Sequence, residues 1–452
     1  MILKIVSVAL LSAILVSSAA ARAQQTSASQ IATGVDQELA SLVGTYKTLH
    51  AAPELSHYEA KTSGFVAGQL RSMGYTVTEH VGKYEKPEWT GYGVVAIMKN
   101  GSGPTVLVRT ELDALPVVER TGLPYASTVR TKNDAGEDVG VMHACGHDIH
   151  ITSLLGTAKM LADLKGQWHG TLMLIGQPAE ETIDGAKAML DDGLYTRFPR
   201  PDYAVALHDT NAIPAGKVGY TPGYALAGST SVDIIIRGIG GHGSAPQTTK
   251  DPIVVAAQAI LALQTIVSRE NSPFDPAVVT VGSIHGGTRY NIIPDEVHLQ
   301  LTVRTYKEEV RQHVLASIAR ITRGIAAAAG IPEDRAPIVK VSDTEQTPAM
   351  YNNPELTLRL AKVFQRALGV DNVVEAPPIM ASEDFGRFGL DGHQIPTCMF
   401  SLGAADPVKL AESEKTGVPL PSLHSSLFAP VAEPAIRTGV TAMTAAVLEL
   451  MK

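Results

Sequence analysis

The sequence predicts an α/β protein whose large sheet is interrupted by a smaller α+β unit. Three observations carry this expectation. Short apolar runs alternate with helical patterns up to about residue 207, and a Gly/Pro-rich crossing at 214–228 then changes the texture of the chain. Beyond the crossing the elements follow the order β-α-β-β-α-β, a ferredoxin-like pattern, before the alternation resumes. At 452 residues, with 45% hydrophobic and 18% charged content, the chain has room for two domains and lacks the composition of a disordered one.

At the N-terminus, Lys4 is followed by the apolar run 5–16 and by small residues ending in Ala21-Arg22-Ala23. This is the pattern of a cleavable signal peptide over residues 1–23, and it predicts a periplasmic or secreted protein. The run is too short to span a hydrocarbon core comfortably, so no stable membrane anchor is expected after cleavage. Loss of Lys4 and Arg22 takes the formal charge from -8 to -10. No basic stripe follows, and nucleic acid is not an expected partner.

Helical patterns then cover 35–49 and 58–73. Apolar runs at 93–96, 105–108, 171–175 and 203–207 read as strands, with helices at 149–164 and 185–190 between them. Ile151, Leu154, Leu155, Ala158, Leu161 and Leu164 give the first of those two helices one face to bury. The inserted unit holds a strand at 231–237, a helix at 253–267, strands at 277–281 and 296–303, a helix at 307–328 and a strand at 338–341. A helix at 354–368, strands at 373–376 and 397–402 and a long helix at 432–450 return the chain to its first sheet. The expected domains are therefore 31–222 and 343–452 together as the catalytic part, with 223–342 inserted.

The chemistry gathers where strands end. Asp113 follows the strand that carries Arg109, the place where an open α/β sheet puts its ligand-binding residues. A lone acidic residue there is more often a cap or a solvated loop residue. The segment from His143 to His150 sets Cys145 and three histidines around Gly146, a density that a structural role explains poorly. Cys145 and His147 are two residues apart, which places them on one side of an extended backbone, and their donors suit zinc or manganese-type ions. After the next strand come Glu180 and Glu181; neighbouring carboxylates on extended backbone point apart, so one can ligate metal while the other handles a proton. His208 closes the strand at 203–207, and His424 lies in a loop near the C-terminus. Donors recurring after successive strands make metal binding a better account than independent structural roles.

Other chemistries fit less well. The chain has only Cys145 and Cys398, so a disulfide framework does not stabilise it; Cys398 reads as a buried core thiol. Gly238 to Gly243 matches the dinucleotide-fingerprint spacing, yet Ser244-Ala245-Pro246 stands where the required helix should begin, and the glycines instead let His242 project from a tight loop. There is no Gly-x-Ser-x-Gly elbow.

Taken in order, these segments resemble the amidohydrolase branch of the aminoacylase and carboxypeptidase G type metallopeptidases, which includes hippurate hydrolases and indole-acetyl-amino-acid hydrolases. The resemblance rests on Leu49 to Leu55, Arg109 to Pro116, Met142 to His150, Gln177 to Glu181, Ala206 to His208, Gly240 to Pro246, Gly286 to Asp295, Ala381 to Phe385 and His424, spanning nearly the whole mature chain. It implies a di-metal zinc-peptidase-like catalytic domain with an inserted lid or dimerisation domain. Two divalent ions, zinc or manganese, would be held by Cys145, His147, Glu181, His208 and His424. Glu180 would serve as general base and acid, and Asp113 would orient a ligand from behind. His242 and Asn291 match positions that reach the substrate; Arg289 joins them on charge alone. The implied activity is metal-dependent hydrolysis of the amide bond of N-acyl amino acids or related small amide conjugates bearing a free carboxylate, with a homodimer formed through the inserted domain. A dipeptidase of the same fold and a catalytically silent metal-binding protein are the alternatives. The departures, Thr110-Glu111 where Ala-Asp is usual, Asp209 after His208, and Gln247 for a common histidine, lie beside the pocket rather than among the ligands.

Overall fold

The computed structural model describes residues 28–452; the expected signal peptide at 1–23 lies outside them. An eight-stranded sheet forms the body. Its strand order is Thr76–Val81, Gly93–Asn100, Gly170–Gln177, Thr105–Glu111, Tyr203–Pro214, Thr397–Ala405, Val218–Tyr220 and Val373–Glu375. The four central strands are parallel, and antiparallel strands extend the sheet on both sides.

The central strands read as unbroken apolar runs because both of their faces are covered. Val106, Val108, Leu172, Leu174, Val205 and Leu207 belong to one core, while Leu107, Met173, Ile175, Ala204 and Ala206 belong to another on the opposite face. Helices 28–50, Ala60–Ser72, His147–Asp163, Pro354–Leu368 and Ala432–Leu450 contribute to the first core. The short helix Gly185–Asp191 packs in the second through Ala186 and Met189.

One topological detail locates the site. From Thr105–Glu111 the chain crosses by way of the helix His147–Asp163 to Gly170–Gln177 on one side, then returns to Tyr203–Pro214 on the other. A crevice opens where the winding reverses, beyond the carboxyl ends of these strands.

The second sheet is four-stranded and antiparallel throughout, in the order Ala277–His285, Glu296–Thr305, Gly228–Arg237, Ile338–Thr347. Numbered along the chain this is 2-3-1-4, the ferredoxin-like arrangement expected. Val232, Ile234, Ile236, Leu299, Leu301 and Val303 bury one face against the helices Pro252–Thr265 and Glu308–Ala328. The alternation sends Thr302 and Arg304 to the other face.

The Gly/Pro-rich crossing is more ordered than its composition suggests. The strand Tyr203–Pro214 runs into it, Val218–Tyr220 joins the large sheet, and Gly223–Leu226 pairs with Met350–Asn352 beside the entry to the smaller sheet. Glycine is needed there because Gly219 and Gly228 lie close to neighbouring side chains or backbone, not because the segment is loose.

Candidate metal centre and active site

Three turns bring the donors together. Gly146, with φ 75, caps the helix His147–Asp163, and a Cβ on it would overlap the Asp209 carboxylate. Cys145 and His147 are therefore set by a left-handed turn, not by the extended backbone their spacing suggested. His147 is the first helical residue and is fully buried. Its Nδ1 donates to the Asp113 carbonyl at 2.9 Å, with Asp113 Oδ1 at 3.4 Å. His208 likewise donates from Nδ1, to the Asp209 carbonyl at 2.9 Å. Both rings thus keep Nε2 as the free lone pair, the tautomer a metal ligand requires.

Those nitrogens converge. Cys145 Sγ lies 3.6 Å from His208 Nε2 and 3.3 Å from His424 Nε2. His424, at φ 66, is held there by its own N–H on the Ala144 carbonyl, 2.8 Å away. Glu181 Oε2 is 3.4 Å from His424 Nε2, and its Oε1 is 3.9 Å from His147 Nε2. Donor atoms of Cys145, His147 and His208 lie within 4.8 Å of one another, as do those of Cys145, Glu181 and His424. The two groups share Cys145. His147 Nε2 and Glu181 Oε1 are buried with no hydrogen-bond partner, a costly arrangement for polar atoms unless something else satisfies them. The donor set, one thiol, three imidazoles and a carboxylate, fits a pair of divalent cations.

Glu180 corrects one expectation. Neighbouring carboxylates were expected to point apart, yet Glu180 Oε2 lies 3.6 Å from the same His147 Nε2 that Glu181 approaches. The cause is local. Ala179 (φ 51) and Ile183 (φ 62) are left-handed, and a Cβ on Gly185 would overlap the Pro178 carbonyl, so this segment is a tight loop rather than a strand.

Electrostatics follow from burial. Burial, then the charges of Glu383 and Glu181, push the Glu180 carboxyl well above the usual carboxylate range, with Arg109 pulling the other way. Burial likewise lifts Glu181, to about 7, against the pull of His147. Burial disfavours charge on His147, but its hydrogen bond with Asp113 and the charges of Glu111 and Asp113 raise it to about 10. Bound cations reverse this pattern, since they favour the anionic carboxylates and the neutral imidazole.

Not every histidine of the cluster faces the centre. His150 is committed to Glu111, at 2.9 Å, and to Asp209. His143 is buried, and burial lowers it to about 4. Asp113 lies behind His147, its Oδ2 accepting from Ser56 Oγ at 2.7 Å and from the Glu181 N–H at 2.9 Å.

A cavity of about 840 Å³ runs from Cys145, Glu180, Glu181, His208 and His424 to the open face of the smaller sheet. Ile213, Leu226, Val374, Ile379 and Met380 line its apolar wall, and Arg304 lines the side formed by the smaller sheet. The structure does not bring His242, Asn291 or Arg289 to this cavity. They are exposed on or beside the small ribbon in which His242 pairs with Ile292.

Two features escaped the sequence reading. Arg304 is half-buried, its only hydrogen bond within the protein runs to Thr302, and no carboxylate pairs with it among the described residues. Arg109, fully buried, bonds Gln177, Glu111, Glu383 (2.7 Å) and Asp384 (3.1 Å). The available signal was a charge inside each apolar strand, at Val108-Arg109 and Val303-Arg304.

Comparison with known proteins agrees with this geometry. Residues 107–425 match the model of peptidase family M20/M25/M40. The chain is 39% identical to the hippurate hydrolase of Campylobacter jejuni, over 78% of this chain and 86% of that protein. It is 36% identical to thermostable carboxypeptidase 1 of Saccharolobus solfataricus, over 88% and 92% of the two chains. Among solved structures, the Bacillus subtilis YXEP protein, a dinuclear metal-binding peptidase, superposes with a TM-score of 0.72 at 27% identity, covering 92% of this chain and 99% of that one. A sheet of this topology, a paired set of metal donors beyond its strand ends and these relatives lead to one assignment: the chain belongs to peptidase family M20/M25/M40 and is a metal-dependent hydrolase of amide bonds.

Proposed function

We propose that the protein hydrolyses the amide bond of N-acyl amino acids that carry a free carboxylate. The observation that carries this reading is Arg304, an unpaired guanidinium lining the same cavity as Glu180 and the metal donors. A guanidinium suits a carboxylate, and the apolar wall suits an acyl group.

Two ions, zinc or manganese by donor chemistry, held by Cys145, His147, Glu181, His208 and His424, would polarise the scissile carbonyl and acidify water. Glu180 takes the proton of the attacking water and passes it to the leaving amine. Its burial suits this role, because a carboxyl whose proton affinity is raised above the ordinary range holds a proton firmly enough to deliver it to an amine. Asp113 holds His147 in the correct tautomer. Arg304 orients the substrate by its carboxylate.

In this reading the ribbon bearing His242, Asn291 and Arg289 acts on substrate after assembly into a homodimer through the smaller sheet. The strand Ala277–His285 is an edge of that sheet, and Ile284, Val254 and Leu261 are exposed on the same unit, as an association surface needs. Export through the signal pattern at 1–23 is part of the same proposal.

The test is a panel of hippurate-like acyl amino acids and dipeptides, assayed after chelation and reloading with zinc, manganese or cobalt. Turnover of acyl amino acids that vanishes on chelation and returns with metal is expected. A preference for dipeptides moves the assignment to the carboxypeptidase side, and no hydrolysis of either with metal bound sinks the reading. Arg304→Gln is expected to lower kcat/KM roughly ten- to a hundredfold, the loss of one charged hydrogen-bonding partner. Its effect on a substrate esterified at that carboxylate is expected to be small, and an equal effect on both removes Arg304 from the role.

A further inference from the structure

We propose that Glu59 is a positioning residue for this reaction, holding the 178–185 loop in the form that turns Glu180 toward the metal donors. The inference rests on the reading of Glu180 above.

Glu59 stands just before the helix Ala60–Ser72, 120 residues from the loop it touches. Its side chain is fully buried, and one oxygen, Oε1, accepts from two backbone donors, the N–H of His57 at 2.9 Å and of Ala179 at 2.8 Å. Both donors belong to non-glycine residues in the left-handed region, His57 at φ 69 and Ala179 at φ 51. Residues other than glycine seldom adopt that conformation unless the surroundings hold them there.

Ala179 is the residue immediately before Glu180. Ala179 sets the direction in which the chain enters the 180–183 turn, and that turn, unlike an extended backbone, carries both Glu180 and Glu181 to His147 Nε2. The rest of the loop is tied separately. Ile183 N–H bonds the Glu180 carbonyl at 2.7 Å and Gly185 N–H bonds that of Ala179 at 3.0 Å. Asp184 meets His57 Nε2 at 3.1 Å, and the His57 ring stacks on Trp89 with centroids 3.6 Å apart. Glu181 has its own tether, from its N–H to Asp113. Losing the Glu59 carboxylate therefore releases Glu180 in particular: the buried Ala179 N–H loses its acceptor and nothing offsets the left-handed turn.

The experiment compares metal-loaded enzyme carrying Glu59→Ala, Glu59→Gln and Glu59→Ala with Ala179→Gly, measuring kcat, KM and metal bound per chain. Glu59→Ala is expected to lose about 10- to 100-fold in kcat, with KM and metal content kept, the usual penalty for removing a group that orients a reacting one. Glu59→Gln, whose amide oxygen accepts the same two bonds, is expected to stay near wild type. Adding Ala179→Gly to Glu59→Ala is expected to recover part of kcat, because glycine takes the left-handed form unaided. Unchanged kcat in Glu59→Ala, or no recovery with glycine while fold and metal are intact, overturns the proposal. Should Glu59→Ala not fold, Glu59→Asp keeps the carboxyl group but withdraws its oxygens, and full activity there overturns it equally. If Glu180→Gln itself turns over normally, the fault lies in the reading of Glu180 instead.

Discussion

Glu180→Gln, with metal bound, is expected to lose about 10²- to 10⁴-fold in kcat, the contribution of a positioned general acid and base. The substitution keeps the shape of the side chain and removes only its capacity to take and return a proton. Glu180 is buried, with its carboxylate 3.6 Å from His147 Nε2, and burial together with Glu383 and Glu181 raises its proton affinity. A carboxylate of ordinary affinity would hold the proton too weakly to deliver it to an amine at neutral pH; one of very high affinity would be protonated already and could not serve as the base. Cations held by the neighbouring donors would counter the upward push on Glu180 by favouring its anionic form. Metal content measured beside turnover separates the two roles expected of the acidic pair. Glu180→Gln should retain its metal, whereas Glu181→Gln should shed it, because Glu181 lies between His147 and His424. Full turnover by metal-loaded Glu180→Gln would end the mechanism.

Arg109→Leu is expected to destabilise the fold by roughly 3–5 kcal/mol, the cost of removing one partner from a buried ionic cluster. Its guanidinium is wholly buried and is the cation shared by Glu111, Glu383 and Asp384, with Gln177 on its Nε. Without it Glu383 and Asp384 lose their shared cation, and Glu111 is left with His150 alone. Asp384 already shows the strain: burial raises it to about 7 even with Arg109 pulling it down. Set against a typical total stability of about 5–15 kcal/mol, the loss leaves little margin, and urea melts should show a markedly lower midpoint. Arg109→Lys keeps the charge but not the planar fork and should fall between the two. A melt of Arg109→Leu that overlays the wild type would show that the cluster is neutralised in some other way.

The parts of this site that could be read from the sequence are those fixed by short range. Cys145 and His147 flank a glycine, Glu180-Glu181 and His208 follow apolar runs, and the alternation of helices and strands places those runs in one sheet. The inserted unit was legible from its β-α-β-β-α-β order, with clear alternation in Glu296–Thr305. What could not be read depends on distant partners or on backbone conformation. Two of the three carboxylates that neutralise Arg109, those of Glu383 and Asp384, come from more than 270 positions away. Arg304 is one of several polar residues on the open face of its strand, and its importance emerges only once that face is set over the cavity. The shared direction of Glu180 and Glu181 depends on a tight turn at 180–183, entered through a left-handed alanine that no propensity predicts.

The strands that enter and leave the smaller sheet are hydrogen-bonded neighbours. Ser229 stands opposite Thr347, and just outside them Gly223–Leu226 is paired with Met350–Asn352. The polypeptide therefore departs from the large sheet and comes back to it at one place. An excursion whose ends already meet adds little closure entropy to the host, and that cost grows only slowly with the length enclosed. The register of Thr397–Ala405 against Tyr203–Pro214, on which the position of His208 depends, is set without reference to what lies between. Over evolutionary time such a junction lets one segment of a gene be lengthened, trimmed or exchanged while the hydrolytic half is inherited intact, so that Arg304 and its neighbours can change what is recognised without disturbing what is done to it.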